Sequence, residues 1–125
     1  MKQIALITGS SRGIGKEIAR ELIASGFQVV LHASKMSNEL NSTELEFKKL
    51  DPKTRSVVFD VSDGPLVEKS CKDLLASIGR VDVLINNAGI ARDKTLLNMP
   101  GFILRSATVI PRVNSPFVSI LMLQV

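Results

Sequence analysis

The sequence predicts an α/β fold: a doubly wound parallel sheet, incomplete, with four strands followed by an irregular C-terminal segment. Three observations carry this. Short apolar runs alternate with stretches of helical periodicity through the first hundred residues. The links between them are short and hold Gly, Pro or Ser-Asp pairs. A glycine-rich turn sits between the first apolar run and the first helical stretch.

Each element follows from local chemistry. Residues 3–8 (QIALIT) form an apolar run ending at Gly9, which suits a strand buried on both faces. Ile14, Ile18 and Leu22, with Ala19 and Ile23, fall at i, i+4 positions and predict one apolar helix face. Ser25-Gly26 stops that helix, glycine being the residue best suited to a left-handed cap. Residues 28–33 (QVVLHA) are the second strand. Residues 34–54 are polar, and Leu40, Phe47 and Leu50 predict one weakly amphipathic helix there, ended by Asp51-Pro52. Residues 56–60 (SVVFD) are the third strand. Ser62-Asp63-Gly64-Pro65 starts the next helix, with proline in the first turn where no backbone donor is needed. Val67, Cys71, Leu74, Leu75 and Ile78 continue it at helical spacing, and Gly79 ends it. Residues 81–85 (VDVLI) are the fourth strand and run into Asn86-Asn87-Ala88-Gly89. Beyond Met99 the character changes. Residues 99–125 hold three of the five prolines, Pro100, Pro111 and Pro116, and each interrupts a long helix. Residues 117–125 (FVSILMLQV) read as either a short helix or a strand.

Composition narrows the function classes. A chain of 125 residues allows one domain and hardly two. A single Cys excludes an internal disulfide framework and a Cys-clustered zinc site, so no metal is expected and a reduced, cytoplasmic setting fits. Cys71 falls on an apolar helix face and reads as a small buried hydrophobe. No stretch approaches the ~20 apolar residues that span a bilayer, and the N-terminus starts as a strand, not as a signal peptide. The net charge is +4, and all 12 acids lie at or before Asp93. The basic residues beyond it form no cluster with interleaved aromatics, which argues against nucleic acid as a partner. Tyrosine and tryptophan are absent.

Thr8 to Gly15 (TGSSRGIG) carries the strongest chemical signal. Glycines between a predicted strand and a predicted helix fit a phosphate-binding turn; the alternative is an ordinary Gly-rich βα turn. Gly9 permits the turn off the strand, Gly13 lets backbone approach a phosphate, and Gly15 lets helix and strand pack closely. The helix N-terminus then offers free N–H groups to a pyrophosphate. This loop, followed by Asp60-Val61 and by Asn86-Asn87-Ala88-Gly89, resembles the short-chain dehydrogenase/reductase family. Residues 86–99 (NNAGIARDKTLLNM) resemble more narrowly its 3-oxoacyl-(acyl-carrier-protein) reductases, which act in fatty acid biosynthesis. The resemblance spans residues 3–99.

That resemblance implies a Rossmann-like cofactor half-domain at 1–99 and a diverged or truncated segment at 100–125. It matches Gly9, Ser10, Ser11, Arg12, Gly13, Ile14 and Gly15 to the loop that wraps the adenosine phosphates. Asp60 matches an acid that contacts the adenine amine, with Val61 beside the ring; Asp60 also reads as a cap for the helix after it. Asn87 matches a residue whose backbone contacts a cofactor ribose, and Asn86 one that ties strand four to its neighbour. His32 reads as a partly buried structural residue, or as one touching the adenosine. The second strand ends in His32-Ala33-Ser34-Lys35, with no acid before Glu39. An acid there would favour a ribose 2′-hydroxyl, whereas Arg12, Ser34 and Lys35 suit a 2′-phosphate, so NADP(H) is expected over NAD(H).

The family reduces a ketone with a tyrosine as proton donor, a lysine four residues on, a serine and a relay asparagine. With no tyrosine in the sequence, that pair is missing. Asn114 in Val113-Asn114-Ser115-Pro116-Phe117 is the one candidate for the relay position. Three readings stay open. The first is an NADPH-dependent reductase truncated to its N-terminal cofactor half and lacking the catalytic tyrosine and lysine, its substrate linked to an acyl carrier protein. The second is a non-catalytic NADP(H)-binding module. The third is a non-functional fragment whose fourth strand is an exposed edge. No oligomeric state is implied.

Overall fold

The computed structural model describes residues 2–87 and two further short strands, 107–109 and 119–123. The chain runs β1 (Ile4–Ile7), α1 (Gly13–Ala24), β2 (Gln28–Ala33), α2 (Asn38–Lys48), β3 (Arg55–Val58), α3 (Gly64–Ile78), β4 (Val83–Asn86), β5 (Ala107–Val109) and β6 (Ser119–Leu123). β3, β2, β1 and β4 form the expected parallel sheet in that order. The crossover between β3 and β4 brings the chain back past β1, so the sheet is wound in both directions from its centre.

Alternation along the strands divides the core in two. Leu6, Val30 and Leu84 point to one face, where Val67, Cys71 and Leu74 of α3 cover them. Ala5, Ile7, Val29, Leu31 and Ile85 point to the other, under Ala19 of α1 and Leu40 and Phe47 of α2. Cys71 is buried as expected, and its thiol is pushed up to about 11 by that burial.

Several expectations need correction. Ile14 does not join the apolar face of α1: it lies in the helix's first turn and is 59% exposed. Leu50, placed on α2 by periodicity, lies beyond that helix and is equally exposed. β4 is also no free edge. β6 pairs with it antiparallel, Val83 opposite Met122 and Ile85 opposite Ile120, and β5 pairs with β6. An apolar run able to extend satisfies the backbone groups that β4 would otherwise leave open. The segment expected to be irregular therefore contributes two strands.

Candidate functional site

The loop after β1 is clamped from three sides. From β2, the His32 ring reaches under it: the Gly9 N–H donates to Nδ1 at 3.0 Å, while Nε2–H donates to the Phe59 carbonyl at 2.8 Å. The neutral Nε2–H tautomer is the one that satisfies both bonds. Burial pushes the His32 pKa down, with the Phe59 carbonyl opposing in part. The same residue's backbone exchanges bonds with Ser10, whose N–H donates to the His32 carbonyl and whose hydroxyl accepts from the His32 N–H, both at 2.9 Å. From α2, the buried Thr43 hydroxyl donates to the Ser11 carbonyl at 2.7 Å. From the end of β4, Asn87 Nδ2 donates to the Gly9 carbonyl at 3.1 Å, and its N–H donates to the Thr8 hydroxyl at 2.9 Å.

Glycine is required where the loop turns. Gly9 and Gly13 have φ of 64° and 63°, in the left-handed region. At Gly15 the reason is contact: a Cβ would overlap the Gly9 carbonyl and lie 2.6 Å from Asn87 Nδ2. At Gly13 a Cβ would meet nothing within 4 Å, so the outer side of the loop is open.

The helix ends differ in a way that bears on ligands. Ser37 caps α2 by accepting from the Leu40 N–H, and Asp63 caps α3 by accepting from the Leu66 N–H. Arg12 at the head of α1 makes no such bond, and no acid lies in the first turn. Its leading N–H groups lack intrahelical acceptors, and the helix dipole favours an anion there. An open glycine turn with uncapped amides fits the pyrophosphate of a dinucleotide.

Beside this turn lies a cleft of about 280 Å³. Gly9, Ser11, Arg12, Ser34, Lys35 and Val61 line it, with His32, Ala33, Ser37 and Glu39. Six of the twelve residues expected to bind the cofactor, Gly9, Ser11, Arg12, Ser34, Lys35 and Val61, thus meet in one place. Ser10 is turned inward and fully buried, a brace for the loop. Asp60 is exposed, accepts from the Ser62 N–H and hydroxyl at 2.9 and 2.6 Å, and is not among the cleft-lining residues; Asp63, not Asp60, caps α3. Asn114 lies outside the described residues. Two larger clefts, about 440 Å³ each, open at the opposite end of the strands near Gln28 and Lys53, away from the glycine turn.

Thr43 escaped the sequence reading, and His32 and Glu39 were named there without the roles they take in the fold. His32 is fully buried, and its role as the loop's brace shows only when β2 is laid beside β1. Thr43 is a polar residue on the buried side of a polar helix, and that position was its one available signal. Glu39 was set aside as lying past the end of the second strand, yet its carboxylate stands 3.4 Å from Arg12 Nη1 in the cleft lining. Among the described residues no group of three or more His, Cys, Asp or Glu side chains could hold a metal, and no helix is long and apolar enough to cross a membrane.

Comparison with known proteins gives a consistent answer. The model of the short chain dehydrogenase family matches residues 3–103. The 3-oxoacyl-(acyl-carrier-protein) reductase of Synechocystis sp. is 39% identical over 97 residues, which cover 78% of this chain and 39% of that protein. The enzyme FabG of the same description from Staphylococcus epidermidis is 34% identical over 99 residues, covering 79% and 41%. Among solved structures, a metagenomic short-chain oxidoreductase in complex with NADP superposes with a TM-score of 0.64 at 40% identity, over 70% of this chain and 39% of that one. The 3-oxoacyl-(acyl-carrier protein) reductase of Brucella melitensis in complex with NAD gives 0.65 at 31% identity, over 72% and 34%. The chain spans about two fifths of the length of the curated relatives it matches.

Proposed function

The chain belongs to the short-chain dehydrogenase family, and on that premise we propose that residues 1–99 hold NADP(H) as the cofactor-binding half of a reductase of 3-oxoacyl thioesters. The single observation that carries this is the glycine turn at the head of α1, with open space at Gly13 and no side-chain cap or acid competing for its amides. In this reading Gly9, Ser11, Arg12, Gly13 and Ile14 surround the pyrophosphate. Gly15, Ser10 and the Asn87 side chain hold the turn in shape. Val61 flanks the adenine, with Asp60 beside it. Arg12, Ser34 and Lys35 supply positive charge and donors for a 2′-phosphate, which favours NADP(H) over NAD(H).

The bound cofactor would supply the hydride, and a carrier-protein-linked ketone is the substrate class named for the relatives. The protein's share of the chemistry is to position the nicotinamide and to deliver a proton. The sequence has no tyrosine, so no phenol is available for that proton. These 125 residues by themselves therefore bind the cofactor without reducing ketones, in a reducing, cytoplasmic setting. Titration of the purified chain with NADPH, followed by nucleotide fluorescence, is expected to saturate, while a 3-oxoacyl thioester causes no loss of absorbance at the nicotinamide band. Absence of any saturable response would overturn the binding assignment. Turnover would overturn the catalytic one.

A further inference from the structure

Glu39 gives the cleft a carboxylate that the end of the second strand lacks. It comes from the first turn of α2, lines the same cleft as Ser34 and Lys35, and lies 3.4 Å from Arg12 Nη1. Both side chains are largely exposed, 78% for Arg12 and 55% for Glu39, so both can swing. Arg12 is at once the cation that best suits a 2′-phosphate and the partner of this acid. We propose that Glu39 is the specificity-determining residue of the dinucleotide cleft: it occupies Arg12 in the free protein, opposes a 2′-phosphate, and offers an acceptor to a ribose 2′-hydroxyl. The proposal rests on the cofactor reading above. It adds that the preference for NADP(H) is narrow and that NAD(H) is admitted.

The physical basis is competition between two anions for one guanidinium. A 2′-phosphate must displace the Glu39 carboxylate from Arg12 and then stay near it, a like-charge contact. NAD(H) meets neither penalty and gains an acceptor for its hydroxyl. Ser34 and Lys35 remain on the phosphate's side, so the balance still tilts toward NADP(H). An exposed ion pair is weak, so the tilt imposed by Glu39 is modest.

The test compares dissociation constants for NADPH and NADH in the natural chain, in Glu39→Gln and in Glu39→Asp, by fluorescence at low ionic strength. In the natural chain the ratio of NADH to NADPH constants is expected below about thirtyfold. Glu39→Gln raises that ratio by about three- to fivefold, the range of an exposed ion pair; Glu39→Asp stays near the natural value. Half-molar salt shrinks the difference between the natural chain and Glu39→Gln. The ratio is insensitive to any loss of helix stability in the variants, because both nucleotides meet the same folded fraction. A ratio unchanged in Glu39→Gln overturns the role of Glu39 and leaves the cofactor reading intact. Failure of the natural chain to bind either nucleotide overturns both.

Discussion

Replacing Gly15 with alanine tests the geometry on which the cofactor turn depends. The new Cβ would overlap the Gly9 carbonyl oxygen, sit 2.6 Å from Asn87 Nδ2 and 2.9 Å from the Gly9 carbonyl carbon. None of these neighbours yields easily. The carbonyl belongs to a loop held by His32, Thr43 and Asn87, and Asn87 Nδ2 is itself bonded to that carbonyl. Overpacking of this kind costs about 1–3 kcal/mol. Loss of the Asn87–Gly9 bond adds about 1 kcal/mol, and the better helix propensity of alanine returns about 1 kcal/mol. The net expectation is a destabilisation of about 1–3 kcal/mol, with NADPH affinity lowered at least about tenfold as the turn shifts, since about 1.4 kcal/mol of lost interaction is one decade. Urea unfolding by circular dichroism gives the first number and nucleotide fluorescence the second. Gly64→Ala is the control: it begins α3, its Cβ would meet nothing within 4 Å, and its backbone is not in the left-handed region, so it should unfold at or slightly above the natural midpoint. If Gly15→Ala matched Gly64→Ala in both midpoint and affinity, the close packing of α1 against the turn would be wrong.

Two further outcomes follow from buried groups. His32 is neutral in the fold, with a pKa below its unfolded value, so the unfolded chain binds the extra proton first. Its contribution to stability is complete above about pH 6.5 and is lost as pH falls below that value toward the depressed folded pKa. The urea midpoint should therefore drop on acidification from pH 7 to 5, and a His32→Gln variant should flatten that part of the profile; an equal drop in the variant would assign the acid sensitivity elsewhere. Cys71, 2% exposed with its thiol raised to about 11, should react with a disulfide reagent at pH 8 at least about a hundredfold more slowly in the native protein than in urea. Rapid native labelling would mean that α3 does not seat on the sheet as described.

Much of the fold was legible because its causes are local. Apolar runs of β-branched residues, helical spacing, Ser25-Gly26 and Asp63-Gly64-Pro65 set the elements within a residue or two of where they stand. Ile14 and Leu50 went astray at helix ends: spacing places a residue on a helix face, but it does not say that the first turn of α1 is exposed or that α2 stops at Lys48, short of Leu50. The pairing of β4 with β6 was open in the sequence because residues 117–125 carry no periodicity that separates helix from strand.

By itself the sequence determined the order of the first four strands and three helices and the glycine turn at the head of α1, each from residues a few positions apart, and the absence of a phenol acid, which is a matter of composition. Only the tertiary structure decided what surrounds the turn. His32, Thr43 and Asn87 are 23, 34 and 78 residues from Gly9 along the chain; His32 and Asn87 meet its loop because parallel strands end side by side, and Thr43 because α2 packs on the same sheet. Glu39 reaches Arg12 by the same route, through a helix packed on the sheet. Hydrogen bonds and charges act through distances of about 3 Å, and folding alone brings groups so far apart in the chain within that reach.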